Sequence, residues 1–246
     1  MSAGGLAIEA SALSKFFGPK TAVEDIDLAI EPGTIYGFLG PNGAGKTTTM
    51  RMLTTLTPPS TGNAWILGDA ISNRDAVRSQ IGYLPEEPPV FDELTGREHL
   101  AYIARLRALS PQTAEGRIDH WLDRFSLTDD ADVRIDDYST GMRQQIGLIQ
   151  ALLHEPPVVF LDEPTNGLDP RAARTVMDAI ADLADAGRTV FLSTHILPVV
   201  DELADVVGVL NEGSMVAEGP PDALSASVET GDAGSLEDVF LSVTTA

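Results

Sequence analysis

The stretch Gly40-Pro41-Asn42-Gly43-Ala44-Gly45-Lys46-Thr47, followed by Thr48, decides both the fold of this sequence and the kind of ligand that it can hold. Its spacing is that of the phosphate-binding loop, in which glycines let backbone N–H groups converge on phosphate oxygens and the next helix adds its dipole. In such a loop Lys46 contacts the β- and γ-phosphates, and the Thr47 hydroxyl contacts Mg²⁺. All nine residues are therefore candidate nucleotide-binding residues. The alternative, a glycine turn without a ligand, is disfavoured because a strand-like run precedes the loop and a helix-like run follows it.

The segments around this loop predict an α/β fold. Residues 34–39 form an apolar run typical of a buried strand, and residues 46–56 are typical of a helix that Pro58-Pro59 ends. Strands and helices alternate again in the second half of the chain. The strands are predicted at 158–161, 189–192 and 206–210, and the helices at Leu197–Leu203 and from Asp169-Pro170 to Gly187. This order predicts a parallel sheet with flanking helices and a helical insertion around residues 86–150.

Caps and apolar spacing predict the helices of the insertion. Thr95 and Glu98 have capping-box spacing, and Ser110-Pro111 has the residues typical of a helix start. The first helix places Leu100, Ile103 and Leu106 on one face, and the second adds Trp121, Leu122 and Phe125 as core contacts. The acidic stretch 129–137 is predicted to be a solvated loop.

An acidic pair, Asp162-Glu163, directly follows the apolar run 158–161. The carboxyl ends of parallel strands are where ligands bind in such sheets. There Asp162 can hold Mg²⁺ through water, and Glu163 can orient and activate an attacking water. The alternative is a helix cap or a loop, and the phosphate-binding loop elsewhere in the chain favours the functional interpretation. His195, which follows the strand at 189–192, has no functional interpretation from its position alone.

Length and composition fit one large α/β domain or two small ones. The chain has 246 residues and a hydrophobic content of 43%, which argues against wholesale disorder. Its longest apolar runs have the length of a strand, below the roughly 18 residues of a membrane helix. The first residues lack a basic region followed by an apolar core, so we predict no signal peptide and a cytosolic protein. The absence of cysteine excludes disulfides and thiolate chemistry.

The charge balance is strongly acidic. Asp and Glu total 37 against 16 Lys and Arg, which gives a net charge of −21, and the only lysines are Lys15, Lys20 and Lys46. In molar salt the Debye length is about 3 Å, so the resulting self-repulsion largely disappears. We therefore hypothesise a protein of a salt-accumulating halophile; the alternative is an ordinary acidic cytosolic protein. The negative charge also argues against a nucleic-acid partner.

Four further stretches occur in a fixed order relative to the loop. They are Phe17, Tyr138-Ser139-Thr140-Gly141-Met142, Gly167-Leu168-Asp169-Pro170 and Thr194-His195. Together with the loop and the acidic pair, they resemble the ATP-binding cassette (ABC) ATPases over nearly the whole chain. In that family the corresponding stretches are the aromatic residue that stacks on adenine, the signature, the D-loop and the switch-histidine loop.

The resemblance implies an architecture, ligands and residue roles. It implies a P-loop NTPase (RecA-like) core with a parallel sheet, an N-terminal antiparallel β subdomain and an inserted α-helical subdomain. The implied ATPase domain spans 6–220, with the helical subdomain at about 86–150 and a tail at 221–246 that contains a helix. The implied ligands are ATP and Mg²⁺. The implied catalytic residues are Lys46, Glu86, Glu163 and His195, and the implied metal contacts are Thr47, Asp162 and Glu86.

The signature implies a second cassette. Ser139 can cap a helix that carries Met142, Ile146 and Ile149 on one face, so its N-terminal dipole points outward. In the family arrangement Ser139 and Gly141 bind the γ-phosphate of an ATP held by a head-to-tail partner. Hydrolysis then implies a dimer, and the sequence is compatible with a homodimer or a heterodimer.

Three departures from the commonest family pattern point to one branch. Thr140 and Met142 stand where the signature usually has glycine and glutamine, Gln145 replaces an arginine, and Glu86 stands at the Q-loop glutamine. A carboxylate at position 86 can approach Mg²⁺, although it adds negative charge near the γ-phosphate. Pro-Glu-Glu and Ser-x-Gly-Met variants resemble the exporter cassettes of the daunorubicin-resistance and sodium-efflux type. The ending 235–241 resembles that branch too, and it is physically an amphipathic helix that packs on the domain.

The resemblance therefore implies the nucleotide-binding subunit of an ABC exporter. Such a subunit hydrolyses ATP and acts on a separate integral-membrane permease from the cytoplasmic face of the cell membrane. The permease is expected to bind the chain near Glu86 and the helical insertion. One alternative is a soluble single-cassette ATPase, and another is a module that senses ATP without turnover. The transported substrate does not follow from this chain, because selectivity belongs to the permease.

Overall fold

Two β-sheets and their flanking helices make up the computed structural model, which describes residues 5–226, 236–237 and 240–241. The strands are β1 Ile8–Phe17, β2 Lys20–Ile30, β3 Ile35–Leu39, β4 Thr61–Ile66, β5 Asp69–Ala70, β6 Ile81–Leu84, β7 Val158–Asp162, β8 Thr189–Thr194, β9 Val206–Asn211 and β10 Ser214–Gly219. The helices are α1 Lys46–Leu53, α2 Arg74–Gln80, α3 Gly96–Leu106, α4 Pro111–Arg124, α5 Thr140–Leu152, α6 Pro170–Asp185, α7 Leu197–Leu203 and α8 Pro221–Ala226, with a 3-10 turn at Ile135–Asp137.

The larger sheet has six strands in the order β10-β9-β3-β8-β7-β6. Five of these strands are parallel, as the alternation of strands and helices predicts; they are β9, β3, β8, β7 and β6. Both β3 and β7 are buried at every position, because helices or the second sheet cover each face. The edge strand β10 is antiparallel to β9 and was not predicted. The turn at Glu212 and Gly213, both with positive φ, closes this hairpin.

The smaller sheet is antiparallel, with the order β2-β1-β4-β5. It packs on the face of the large sheet that carries Tyr36, Phe38, Phe160 and Phe191, and one hydrophobic cluster joins the two sheets. A second cluster lies on the opposite face and joins the sheet to the inserted helices through side chains such as Leu161. The predicted architecture, a P-loop core with an N-terminal antiparallel sheet and inserted helices, is confirmed.

The inserted helices α3, α4 and α5 lie between β6 and β7 in the chain. The predicted capping box is present, since the Thr95 hydroxyl accepts from the Glu98 N–H and the Glu98 carboxylate accepts from the Thr95 N–H. The placement of Leu106 on the same face as Leu100 was wrong. Leu100 is fully buried and Leu106 is 65% exposed. Six residues at about 100° each place Leu106 roughly 240° around the axis from Leu100.

One boundary and one exposure also differ from the sequence prediction. Helix α1 ends at Leu53 rather than at residue 56, because the chain turns at Thr55, which has a φ of 64°. The acidic stretch 129–137 is not wholly solvated. Ala131 and Ile135 within it are fully buried against the inserted helices.

The C-terminal part is described only in pieces. Leu236 is 4% exposed, and Phe240 packs with it against β3 and β9 through Leu39 and Val209. The other residues of the predicted tail helix, 235, 238 and 239, lie outside the described residues, and the domain boundaries at 6–220 and 86–150 stay predictions. In the part of the chain that the structure describes, no helix has the length and apolar character needed to cross a membrane.

Candidate nucleotide site

The glycine-rich loop lies between β3 and α1, at the carboxyl edge of the large sheet. Gly45 has a φ of 110°, and a Cβ at this position would lie 2.6 Å from the Ala22 carbonyl oxygen. A Cβ at Gly40 would lie 2.5 Å from the Leu210 carbonyl oxygen. Both positions therefore require glycine, for the backbone conformation at Gly45 and for close packing at both. The predicted role of the glycines in shaping the loop has a direct steric basis.

The start of α1 and the Lys46 ammonium give this loop its positive character. No side chain caps α1, whose N-cap residue is Gly45, so the first N–H groups of the helix are available to an anion. Lys46 is 6% exposed. Its Nζ donates to the Gly40 carbonyl at 2.6 Å and to the Pro41 carbonyl at 3.4 Å. The ammonium is thus held by the loop that it is predicted to serve.

Asp162 is the last residue of β7 and is fully buried. Its Oδ1 accepts a hydrogen bond from the Ser193 hydroxyl on the adjacent strand β8. Its Oδ2 is buried and has no hydrogen-bond partner among the described residues. Burial raises the pKa of the carboxyl, and the nearby hydroxyls of Ser193 and Thr47 oppose that rise. A buried carboxylate oxygen without a partner, close to a hydroxyl, is a natural position for a cation.

Glu163 lies in the turn after β7 and is 5% exposed. Its φ of 50° is unusual for a residue with a side chain. Oε1 lies 2.9 Å from His195 Nδ1 and 3.6 Å from Lys46 Nζ, and Oε2 accepts from the Thr194 hydroxyl at 3.0 Å. Gln144 Nε2 donates to the Glu163 carbonyl at 3.3 Å. The Glu163 carboxylate is therefore held in place by the His195 ring, the Thr194 hydroxyl and the Lys46 ammonium.

Most of the loop, together with Glu163, lines one cleft of about 340 Å³, whereas the candidate residues Gly40, Ala44, Asp162 and His195 are not among its lining residues. Its lining residues are Phe17, Lys20, Ala22, Pro41, Asn42, Gly43, Gly45, Lys46, Thr47, Thr48, Glu86 and Glu163. The Phe17 ring is 53% exposed and lies under the Lys15 ammonium, 5.2 Å from the ring centroid. The structure thus brings the predicted aromatic residue, the loop and Glu86 to the same cleft.

The signature residues lie elsewhere. Ser139 and Gly141 are absent from the lining of the Lys46 cleft, and Ser139 is exposed. The Ser139 hydroxyl accepts from the Met142 N–H at 3.2 Å, which confirms its predicted role as the cap of α5. The position of a Cβ on Gly141 is 3.3 Å from Leu168, so the start of α5 lies against the D-loop stretch. In this chain the signature and the phosphate-binding loop do not meet.

Several residues of the site were not assigned from the sequence. They are Lys20 and Ala22 in the cleft wall, Ser193 beside Asp162, and Gln144 on α5. Thr194 was named only as part of the switch-histidine stretch, and its hydroxyl donates to Glu163. Ser193 carried a detectable signal, because it directly follows the strand predicted at 189–192, as Asp162 follows the strand predicted at 158–161. In the structure the two residues pair in the parallel register. Lys20 and Gln144 carried none, since they reach the site only through tertiary packing.

The site fits a magnesium ion that arrives with phosphate. Within the described residues, no group of three or more His, Asp or Glu forms a ready cage for a metal. Mg²⁺ is usually held by one or two carboxylates together with substrate phosphates, so such a cage is not required. Thr47, the unpartnered Asp162 Oδ2 and Glu86 supply oxygen ligands of the right kind around the cleft.

A parallel sheet that ends in a glycine-rich loop and an acidic pair defines a P-loop nucleotide-binding protein. The sequence profile of the family described as ABC transporter matches residues 23–166. The chain is 42% identical to a daunorubicin resistance ATP-binding protein of Streptomyces coeruleorubidus, over 96% of this chain and 73% of that one. It is 36% identical to the Nod factor export ATP-binding protein I of Paraburkholderia xenovorans, over 90% of this chain and 73% of that one.

The fold agrees with these relatives. A solved structure of an ATP-binding subunit of an ABC transporter superimposes with a TM-score of 0.89 at 30% identity, covering 96% of this chain and 99% of the other. The chain therefore belongs to the ABC transporter family and is homologous to the nucleotide-binding subunits of exporters.

Proposed function

We propose that this chain hydrolyses ATP and thereby drives a membrane exporter from the cytoplasmic face of the membrane. The observation that carries the proposal is the Glu163 carboxylate, which is 5% exposed and lies between the Lys46 ammonium and the His195 ring at the phosphate-binding loop. A buried carboxylate held in this way can accept a hydrogen bond from a water aimed at the γ-phosphate.

The side chains around Glu163 have complementary tasks. Lys46 moves from the loop carbonyls to the β- and γ-phosphates and stabilises the negative charge there. The Thr194 hydroxyl holds Glu163 Oε2, so that the other carboxylate oxygen faces the water. A carboxylate can only accept, so the proton of a neutral His195 lies on Nδ1, and its Nε2 remains an acceptor. Phe17 stacks on the adenine ring at the other end of the cleft.

Thr47, Asp162 and Glu86 are the proposed contacts of Mg²⁺. When bound, Mg²⁺ neutralises charge that develops on the phosphate oxygens. Asp162 contributes Oδ2 as an acceptor, and the Ser193 hydroxyl already holds the other oxygen, Oδ1. Glu86 is an exposed carboxylate of the cleft, and its added negative charge makes the nucleotide site more dependent on the cation than a glutamine would.

The separation of the signature from the cleft supports a dimer. Ser139 and Gly141 stand at the exposed N-terminus of α5, where free N–H groups favour an anion. In a head-to-tail pair this end meets the γ-phosphate in the partner's cleft. ATP then closes the pair, and loss of the γ-phosphate opens it.

The partner in the membrane is proposed to be a separate permease subunit. A groove of about 580 Å³ adjoins Glu86, and its lining includes Pro85, Pro89, Leu56 and the 65% exposed Leu106. Large exposed apolar side chains beside a groove are typical of a protein contact. Export, rather than import, is proposed because the relatives described above include a Nod factor export protein. A nucleic-acid partner is disfavoured by the net charge of −21.

Two alternatives differ in measurable ways. A soluble single-cassette ATPase would hydrolyse ATP and bring down soluble partners. An ATP-sensing module would bind nucleotide without turnover, which the intact arrangement of Lys46, Asp162, Glu163 and His195 disfavours.

The first test replaces Glu163 by glutamine, which keeps the shape and removes the negative charge. Glu163→Gln should lower ATP turnover at least about 100-fold, in the range of a lost general base, while ATP binding persists. Turnover is measured by phosphate release, and dimer formation with ATP by size-exclusion chromatography with light scattering. Glu9→Gln, at an exposed position on β1, is the matched control and should behave as wild type. Wild-type turnover by Glu163→Gln would remove Glu163 from the catalytic role.

The second test identifies the partner. Tagged Glu163→Gln protein is expressed in its host, solubilised in detergent with ATP at high KCl, and its partners are identified by mass spectrometry. We expect a polytopic membrane protein to copurify with ATP and less of it with ADP. Reproducible recovery of soluble partners alone, with the ATP-bound dimer intact, would favour the soluble ATPase.

A further inference from the structure

Tyr83 places a polar group on the same face of the large sheet as the Asp162 carboxylate. In the parallel register Tyr83 pairs with Phe160, and Asp162 follows Phe160 by two residues. Side chains two apart on a strand point to the same face, as do paired residues on neighbouring strands. The packing agrees, since Tyr83 packs with the cluster of Phe160, whereas Leu84 belongs to the cluster on the opposite face.

The hydroxyl of Tyr83 is buried and has no hydrogen-bond partner among the described residues. Asp162 Oδ2, on the same face of the sheet, is also buried and also lacks a hydrogen-bond partner among the described residues. Burial raises the pKa of Tyr83 to about 12, and the charges of Asp162 and Glu86 add to the rise while Arg51 opposes it. The hydroxyl therefore keeps its proton at neutral pH and lies in the field of both charged groups. Buried polar atoms in native proteins are rarely left unmatched, so this pair requires an explanation.

Tyr83 also reaches the groove beside Glu86. The lining of this groove of about 580 Å³ includes Tyr83 together with Arg51, which is exposed and lies in the last turn of α1. The same side chain thus borders the proposed docking groove and faces the Asp162 side of the sheet. Tyr83 forms part of the wall between them.

We propose that Tyr83 is a positioning residue that, together with Arg51, transmits the state of the groove to the Asp162 carboxylate. The hydrogen-bonding chemistry allows one direction only. A guanidinium donates and cannot accept, a hydroxyl does both, and a carboxylate accepts. In the nucleotide-bound state of this proposal, Arg51 donates to the phenol oxygen, and the phenol hydroxyl donates to Asp162 Oδ2, so both atoms that lack a partner in the ligand-free chain gain one. Donation into the oxygen strengthens donation from the same hydroxyl, so moving Arg51 toward a groove occupant weakens the hold on Asp162.

The inference rests on the proposed function, because Asp162 is taken as a metal contact. Its test measures binding without turnover, using a fluorescent trinitrophenyl-ATP titrated at increasing Mg²⁺ concentrations. In Tyr83→Phe the Mg²⁺ concentration at half-saturation should rise at least threefold, because Asp162 loses its positioning donor. The melting temperature without ligand should stay level or rise, since a buried hydroxyl without a protein partner is removed. Tyr102→Phe, at a 41% exposed tyrosine on α3, is the matched control and should change neither quantity.

A double-variant cycle tests the part of Arg51. Arg51→Met alone should also raise the Mg²⁺ concentration at half-saturation. In the Tyr83→Phe background it should raise that concentration little further, because both residues act through the same series of hydrogen bonds. A merely structural Tyr83 would lower the melting temperature and leave the Mg²⁺ dependence unchanged. The proposal is overturned if Tyr83→Phe stays within twofold of wild type, or if the two effects are additive. Failure of the proposed function is distinct, because it is measured on the wild-type protein as an absence of ATP turnover, whereas this inference is measured as a shift in Mg²⁺ half-saturation between variants.

Discussion

Single atoms decide whether the phosphate-binding loop can form. At Gly45 two constraints coincide, a φ of 110° and an oxygen 2.6 Å from the position of a Cβ. A methyl group there must strain the backbone and displace the carbonyl of Ala22 on β2. The loop would then open away from the shape in which its N–H groups converge.

Gly45→Ala should therefore abolish nucleotide binding and lower the free energy of unfolding by about 2 kcal/mol. The measurements are denaturant unfolding and binding of trinitrophenyl-ATP. Gly116→Ala is the matched control. Gly116 lies inside α4 with no atom within 4 Å of a Cβ, so alanine there should stabilise by about 0.5–1 kcal/mol. Nucleotide affinity unchanged in Gly45→Ala would contradict the steric account of the loop.

At the scale of elements, His154 joins the end of α5 to strand β6. Its Nε2 donates to the Ile81 carbonyl at 2.9 Å, because a carbonyl can only accept. Burial and the positive charges of Arg107, Arg117 and Arg188 lower the pKa of His154 to about 4. The end of a helix ordinarily favours a protonated histidine, and here burial and the arginines outweigh that effect.

This junction should weaken in acid. The unfolded chain takes up a proton on His154 near pH 6.5, whereas the folded chain does so only near pH 4. Stability from this group is thus complete above pH 6.5 and is lost as the pH falls toward 4, by about 2 kcal/mol after allowance for partial exposure. His154→Gln keeps a donor for Ile81 and lacks the titration. The difference in unfolding free energy between wild type and His154→Gln should shrink between pH 7 and pH 4.

The exposed His120 supplies the control for this comparison. His120→Gln should run parallel to wild type over the same pH range in urea unfolding. A constant difference between wild type and His154→Gln across the range would show that the pKa of His154 is not depressed.

Elements that obey a local rule were predictable, and those set by packing were not. The strand at 158–161 and the caps at Thr95 and Ser139 follow from apolar runs and side-chain oxygens at helix starts. The end of α1 near Thr55 was missed, because a left-handed residue there depends on neighbouring segments. The face of Leu106 was predicted wrongly although the local helical period of about 100° per residue determines it. In the site, motif residues such as Lys46 and Glu163 were named in advance. Gln144 and Tyr83 were not, since only the folded chain brings α5 and β6 to the same edge.

At the scale of the whole molecule, the net charge of −21 sets the response to salt. The compact state concentrates this charge, so it is destabilised by self-repulsion at low ionic strength. Raising KCl from 0.1 to 2 M shortens the Debye length from about 10 Å to below 3 Å. The urea midpoint should rise over this range if the chain is adapted to molar salt. Sucrose of equal osmolality serves as the non-ionic control, and a midpoint that is flat in KCl would refute the halophile hypothesis.

The distance of the signature from the Lys46 cleft in the same chain has a genetic consequence. If the proposed head-to-tail pair forms from two identical chains, each composite site takes its loop from one copy and its signature from the other. A copy defective only at Lys46 and a copy defective only at Ser139 would leave one site with both lesions and one site fully intact. A copy carrying both lesions, paired with a normal one, would inactivate both sites, because one site takes its loop and the other its signature from the defective copy. Lesions distributed between two copies therefore complement each other, whereas the same lesions in one copy are dominant.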